Sequence, residues 1–261
     1  MRRLLFLISI LLCALAANAQ EHIINNSKMI GVGYQALQDT YLTPEHYSGV
    51  EMRYISHTTR HGVDTLTHQQ KKWSRTIINE GWISSTTPRS DKGGILAGAY
   101  DFVYGAMRSW SITDRLTLSA GGQADITAGF IYNTRGGNNV AQARAAINVG
   151  PMAKAQYVWG KYCLTYEAMA PLMGVCFSPN YGQSYYEIFS EHNYDHNVVP
   201  TTFIATPSLR HSLTLSIRLK RLNMIVGYVG DYRQQAVNNL KQHIYSHDFV
   251  IGLTRRITVK P

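Results

Sequence analysis

Hydrophobic and polar residues alternate strictly between Arg115 and Ile131. The even positions carry Leu116, Leu118, Ala120, Gly122, Ala124, Ile126, Ala128 and Phe130, and the odd positions are polar or glycine. A period of two places the two sets on opposite faces of a β-strand. Strands of soluble sheets are usually about five or six residues long, whereas a strand that crosses a bilayer obliquely needs about nine to eleven. The segment therefore predicts a transmembrane strand with its apolar face toward lipid.

The same alternation recurs along the chain. It is clear in 141–159, 209–220 and 249–259, weaker in 28–38, 48–60, 94–107, 162–174 and 224–233, and poorest in 67–80. These segments predict about ten strands, or twelve if a hairpin forms within 176–205. The predicted fold class is all-β, a transmembrane antiparallel up-and-down β-barrel.

The predicted connections fall into two length classes. The short ones are 111–114, 160–161 and 220–223, with a medium one at 60–64, and the longer ones are 39–47, 80–93, 132–140, 176–205 and 235–241. In outer-membrane barrels the short turns face the periplasm and the long loops face outward. A secreted β-sandwich is the alternative, but it explains neither the strand length nor the two classes of connection.

The N-terminus predicts export. Arg2 and Arg3 precede an apolar run from Leu4 to Leu15, and Ala17-Asn18-Ala19 forms an A-x-A cleavage site. Residues 1–19 are therefore expected to be a cleaved signal peptide, and 20–261 a single outer-membrane barrel domain of a Gram-negative bacterium. No later window is apolar and long enough for a spanning helix.

Composition narrows the expected partners. Charged residues make up 16% of the chain and its formal net charge is +9. In an exported barrel this basic balance suits anionic lipid headgroups and lipopolysaccharide phosphates better than nucleic acid, which is not an expected partner. A barrel of this class is also expected to meet the barrel assembly machinery.

The polar faces of the predicted strands define a lumen that carries both signs of charge. Its expected lining includes Glu51, Arg53, Asp125, Arg144, Glu167, Arg218, Asp231 and Arg233. A barrel of about ten strands has a narrow bore, because eight strands are just filled by side chains and sixteen leave a channel. A plug of paired charges is therefore favoured over a narrow porin-like passive pore for ions or small polar solutes, which remains the alternative function.

An aromatic segment lies in the longest predicted loop, from Tyr181 to Pro200. Its candidate binding residues are Tyr181, Tyr185, Tyr186, His192, Tyr194 and His196. Tyrosine supplies contact area at low entropic cost, so the loop is suited to a glycan or protein ligand. His192 and His196 have the spacing of two metal ligands on a helix, but nothing else here predicts a helix. No metal or cofactor is expected.

Catalytic signals are weak. His57 and His211 are candidate bases, but the alternation places His211 toward lipid and His57 close to a periplasmic turn. No Gly-x-Ser-x-Gly elbow or supported carboxylate pair is present. The sequence favours a non-enzymatic barrel with a surface-recognition or envelope-structural role through long outer loops, and an outer-membrane hydrolase is the second alternative.

Two short blocks carry a family resemblance. The segment Thr40–Gly49 (TYLTPEHYSG) resembles the "YLSP…YSG" signature of uncharacterised Bacteroidetes outer-membrane barrel proteins, and Pro179–Phe189 (PNYGQSYYEIF) is similar to a second block of that family. The family is a domain of unknown function. The resemblance implies a location and a fold, and no catalytic residues.

Overall fold

The strands extend over most of the chain. The computed structural model describes residues 21–64, 67, 69–90, 93–136, 139–219 and 222–259, so the predicted signal peptide lies outside the described residues. The strands are β1 (His22–Asp39), β2 (Thr43–Val63), β3 (Gln70–Pro88), β4 (Ile95–Ser111), β5 (Leu116–Asn133), β6 (Ala141–Trp159), β7 (Tyr162–Met169), β8 (Met173–Phe177), β9 (Val198–Thr202), β10 (Ser208–Arg218), β11 (Asn223–Val237) and β12 (Leu240–Val259). One short helix, α1 (Tyr185–Phe189), precedes β9 in this described part.

Ten of these strands close into an antiparallel barrel. The wall runs in the order β1 to β7, then β10, β11 and β12, and β12 pairs with β1. The short strand β8 continues the ladder that β7 makes with β6, and β9 pairs with β8. The register shifts between β7 and β8, next to Pro171, since Met152 lies opposite Met169 whereas Val149 lies opposite Met173. The predicted barrel of about ten strands is confirmed, and β8 and β9 are two short additional strands.

The register of the ladders determines the tilt of the strands. Cross-strand partners lead around the barrel through Ile23, His61, Ser74, Met107, Gly121, Met152, Met169, Arg210, Asp231, Ser246 and Gln35. The path returns to β1 at Gln35, twelve residues beyond Ile23. A shift of twelve residues over ten strands corresponds to a tilt of about 40°.

The outward face is an apolar band with aromatic rims. Leu118, Ile126 and Phe130 of β5 are 40%, 48% and 43% exposed, while Gln123 and Asp125 on the opposite face are buried. Large aromatic side chains flank the band toward its two ends, among them Trp73, Trp110, Tyr157 and Trp159 at one and Tyr34 and Tyr100 at the other. This is the surface that a bilayer covers. No helix in the described residues is long and apolar enough to cross a membrane.

The two ends of the barrel differ in their connections. At the terminal end, where β1 begins and β12 ends, the connections are 64–69, 112–115, 160–161 and 219–222. At the opposite end, the loop end, they are 40–42, 89–94, 134–140, 178–197 and 238–239. The two remaining connections, 170–172 and 203–207, join β7 to β8 and β9 to β10.

The predicted long loops 39–47, 80–93 and 235–241 are therefore wrong, since most of their residues belong to strands that are joined by short connections. Asp39 accepts a hydrogen bond from the Tyr41 amide at 3.0 Å, and this Asx turn reverses the chain. Asn238 and Asn239 both adopt positive φ, as a two-residue hairpin turn requires. In the described part of the chain, 178–197 is the longest connection.

The interior contains apolar as well as polar side chains. One cluster, here called the apolar layer, consists of Met29, Ile55, Ile78, Val103, Met107, Met152, Met169, Ile225, Val229 and Val250. A second cluster around Leu37, Trp82, Ile131 and Ile244 lies nearer the loop end. The sequence interpretation assigned the inside to polar residues, but in a barrel this narrow, side chains from opposite walls meet and can bury apolar surface against each other.

Candidate functional sites in the lumen and the outer loop

A belt of charged side chains crosses the lumen on the loop side of the apolar layer. We define this charged belt as Glu51, Arg53, Glu80, Asp101, Arg210, Asp231, Arg233 and Asp248. Arg53 is fully buried as a side chain and contacts four carboxylates. Its Nη2 lies 2.5 Å from Glu51 Oε1, and its Nε donates to Asp248 Oδ2 at 2.7 Å. The belt therefore ties β2 to β12 across the closing seam of the barrel.

The remaining arginines complete the charged belt. Arg210 pairs with Glu80, which also contacts Arg53. Arg233 donates to both oxygens of Asp101, at 2.9 and 2.8 Å, and to Asp231 at 2.7 Å. Such fork-to-carboxylate contacts fix both orientation and register. Each buried charge of the belt has an opposite charge within contact distance, as burial of ions demands.

Two glycines make room for the belt on β1. Gly31 and Gly33 face inward at the level of Arg53 and Asp248, where β1 contributes no charged side chain. A Cβ on Gly33 would lie 2.5 Å from Asp248 Oδ1, and one on Gly31 would lie 2.9 Å from Val250 Cγ1. Any larger residue would therefore displace a member of the belt or its neighbour.

A small cavity of about 100 Å³ lies beside the belt toward the loop end. Asp125 in its wall accepts from Asn148 at 3.0 Å and from Gln123 at 3.1 Å. Arg144 also lines it, and the Nη1 of Arg144 has no hydrogen-bond partner among the described residues. Asp125 and Arg144 thus lie near the belt without joining its ion pairs.

A larger cavity, here called the vestibule, lies on the other side of the apolar layer at the terminal end. Its volume is about 520 Å³. His57 Nε2 lies 3.0 Å from Glu167 Oε1, so these two side chains meet across the bore from β2 and β7. Arg218 is exposed in the wall of the same cavity. The eight lumen candidates of the sequence are therefore divided between the belt, the small cavity and the vestibule.

The long connection 178–197, the outer loop, is anchored to the barrel rim. Tyr41 Oη donates to Gln183 O at 3.0 Å, and Asn238 Nδ2 donates to Ser178 O at 3.1 Å. Tyr185 packs against Tyr41 and accepts a hydrogen bond from the Ala143 amide at 2.7 Å. Burial raises the pKa of Tyr185 to about 12. These contacts make Tyr185 part of the support of the loop rather than of its free surface.

The helix α1 inside this loop was not predicted. Ser184 caps it by accepting from the Glu187 amide, and Glu187 accepts in return from the Ser184 amide at 2.6 Å. Hydrogen bonds from the Ser184 backbone and hydroxyl lower the pKa of Glu187. The signal was a capping box, serine followed three residues later by glutamate. His192 and His196 lie beyond the helix at positive φ, so they do not share a helical face.

The tip of the outer loop exposes aromatic side chains. Tyr181, Tyr186 and Tyr194 are 73%, 66% and 67% exposed, and Phe189 and His196 are exposed as well. His192 stacks on Tyr194 with ring centroids 6.1 Å apart. Among the described residues, no group of three histidine, cysteine or carboxylate side chains is arranged to hold a metal ion.

The second candidate base lies outside the barrel. His211 is on the outward face of β10, in ring contact with Tyr166, Tyr228 and Tyr232. The two candidate bases of the sequence, His57 and His211, are therefore on opposite sides of the barrel wall.

Comparison with known sequences identifies the family of the chain. Residues 3–260 match the family described as protein of unknown function (DUF3316). The chain belongs to DUF3316. No curated protein matches it in sequence.

Solved structures that are similar to this DUF3316 chain include outer-membrane proteins. The outer membrane protease OmpT from Escherichia coli aligns with a TM-score of 0.51 at 7% identity, covering 92% of this chain and 98% of OmpT. Neisserial surface protein A aligns at 0.37 and 7% identity, covering 91% of this chain and 97% of its own. The translocator domain of NalP from Neisseria meningitidis aligns at 0.36 and 7%, covering 97% and 96%. At this identity the likeness to OmpT shows the fold alone.

Proposed function

We propose that this protein is a non-enzymatic barrel of a Gram-negative outer membrane that recognises a glycan or protein ligand at the cell surface. The observation that carries the proposal is the outer loop 178–197, which is fixed to the rim and yet presents exposed Tyr181, Tyr186 and Tyr194. A rigid loop with aromatic contact area binds at low entropic cost. The binding surface is the tip, and Tyr185 supports it from below.

The location rests on the fold and on the sequence. An even number of strands returns both termini to the periplasm, so the loop end faces outward. The signal peptide predicted in 1–19 supplies the export route, and the blocks Thr40–Gly49 and Pro179–Phe189 support a Bacteroidetes origin. Lipopolysaccharide then surrounds the rim, and the barrel assembly machinery inserts the chain.

The filled lumen supports a binding role over a pore. The charged belt and the apolar layer lie in series across the bore, and their side chains are buried except for Arg210 and Arg233, which are 12% and 16% exposed. A ten-stranded barrel has little room beyond what these layers occupy. In planar bilayers the purified protein should show no steady single-channel openings. Discrete wild-type conductance would replace the proposal by the passive pore.

The loop itself is tested by substitution. A variant with Tyr181→Ser, Tyr186→Ser and Tyr194→Ser should lose binding on a glycan array and to surface-exposed protein ligands. Tyr132→Ser, which removes another exposed tyrosine toward the loop end of β5, is the matched control and should bind as wild type does. A difference in gel migration between unheated and heated samples of each variant checks that the variant is a folded barrel. Unchanged binding by the triple variant would contradict the assignment to the loop.

A further inference from the structure

The vestibule has the features of a binding site that the outer loop does not explain. It opens at the terminal end, where Gly160, Lys161, Arg218 and Leu219 are exposed around it. Toward the middle of the barrel it ends at the apolar layer, since Met29 and Ile225 belong to both. Its volume of about 520 Å³ is far more than a single water or a single inorganic ion needs. The vestibule is therefore a blind cavity with one mouth.

The charge of this cavity is one-sided. Among its described lining residues are four lysine or arginine side chains, Lys154, Lys161, Arg218 and Arg256, and a single carboxylate, Glu167. That carboxylate is already bound by His57 at 3.0 Å. The cations thus outnumber the acid in the lining, with Lys154 buried and the other three exposed. An excess of one sign of charge along a cleft attracts ligands of the opposite sign.

Lys154 shows the imbalance most directly. It is 8% exposed, and in the described part of the chain its ammonium makes no side-chain hydrogen bond and no contact ion pair. Its cross-strand neighbour is Glu167, whose contact partner is His57 rather than Lys154. The ammonium of Lys154 is not among the fully buried polar atoms that lack a partner, so it reaches the open space of the cavity. An anion that enters the cavity can therefore pair with it.

The rest of the wall offers neutral hydrogen-bonding groups. Hydroxyl and amide side chains from several strands line the cavity: Asn25, Ser27, Thr59, Gln156, Thr165, Ser212, Thr214, Ser216, Asn223 and Thr254. Such groups both donate and accept, so they suit a ligand that carries hydroxyl groups as well as an anion. Arginine and lysine together favour phosphate as that anion.

The way into the vestibule favours a soluble ligand over a lipid. Continuous ladders join all neighbouring strands around the vestibule, so no acyl chain can pass through the wall. We propose that the vestibule binds a soluble phosphorylated polyol, of the size of a sugar phosphate, that enters from the terminal end. In the orientation of an outer-membrane barrel this end faces the periplasm.

Calorimetric titration of the full-length barrel in detergent with glucose 6-phosphate tests the proposal. Saturable binding is expected, weakened by salt, and at least tenfold weaker in Lys154→Gln and in Arg256→Gln. Arg255→Gln is the matched control, because Arg255 is the exposed neighbour on the outward face of β12, and it should bind within twofold of wild type. Arg256 is also exposed, so its substitution should leave folding intact even if Lys154→Gln impairs it.

The comparison ligands separate the alternatives. Glucose should not bind, and inorganic phosphate should bind at least tenfold more weakly than glucose 6-phosphate. Equal affinity for inorganic phosphate, or an equal loss in Arg255→Gln, would overturn the proposal as a nonspecific charge effect. Binding of phosphatidylglycerol vesicles in place of the soluble ester would overturn the access argument. Loss of the outer-loop ligand in the triple tyrosine variant would not affect any of these measurements.

Discussion

The charged belt and the vestibule bury charge in the same lumen in opposite ways. In the belt, Arg53 contacts four carboxylates and Arg233 contacts two. In the vestibule, Lys154 is nearly as buried and has no contact partner among the described residues. Every charged side chain of the belt contacts an opposite charge, and so the belt acts as structure. The vestibule leaves charges available and so is the part of the lumen that a ligand can complete.

The largest effect is expected from breaking the belt at its centre. Arg53→Met removes a cation that contacts Glu51, Asp248 and Asp231 together, and it leaves their buried charges with fewer partners. Such a loss costs about 3–5 kcal/mol of unfolding free energy. Urea unfolding from lipid vesicles measures it, with the exposed Arg60→Met on the same strand as the control. A loss below about 1 kcal/mol would show that the belt is not structural.

An arginine introduced on the lipid-facing surface should lower the unfolding free energy more than an arginine introduced in the vestibule. Leu213 and Thr214 are neighbours on β10 that face lipid and the vestibule respectively. Leu213→Arg should cost about 2–4 kcal/mol, and Thr214→Arg much less, because that side chain reaches water in the cavity. Refolding titrations into vesicles give both values. Equal losses of unfolding free energy in the two variants would show that Thr214 does not reach water, and that the vestibule is as apolar an environment as the lipid-facing surface.

The smallest effect is expected at Lys154. Lys154→Met removes an ammonium without a contact partner, so the unfolding free energy should change by less than about 1 kcal/mol in either direction. The same unfolding measurement compares it directly with Arg53→Met. A loss comparable to that of Arg53→Met would show that Lys154 is bound within the protein, and the distinction between the two regions would fail.

The sequence predicts the wall of this molecule better than its interior. Strict alternation in β5 gives the orientation of each residue, and Leu118 and Asp125 lie on the faces that it assigns. Alternation alone does not predict which side chains contact each other across the lumen. Arg53 and Asp248 are separated by 195 residues, and their contact depends on how far the ladders are staggered around the whole barrel. The apolar layer was missed for the same reason, since residues such as Ile55 and Ile78 are apolar on a face read as polar.

The candidate sites differ in how much local sequence could reveal. The aromatic loop was visible because its tyrosines are close together in the chain. The start of its helix also has a local signal, the capping-box pair Ser184 and Glu187. The vestibule was not readable as a site, since its cations come from β6, β12 and the ends of other strands. Only closure of the barrel brings Lys154 and Arg256 to one cavity.

The position of the belt has a consequence for biogenesis. Gln35 on β1 bonds Ser246 on β12, and Arg53 on β2 bonds Asp248 on β12, so the first and last parts of the chain share one polar network. Until β10 arrives, Glu80 lacks Arg210, and Glu51 and Glu80 share Arg53 as a cation, so the N-terminal strands carry an excess of negative charge at mid-height. Docking of the C-terminal strands supplies the missing partners, so the same contacts that close the barrel also balance its buried charge.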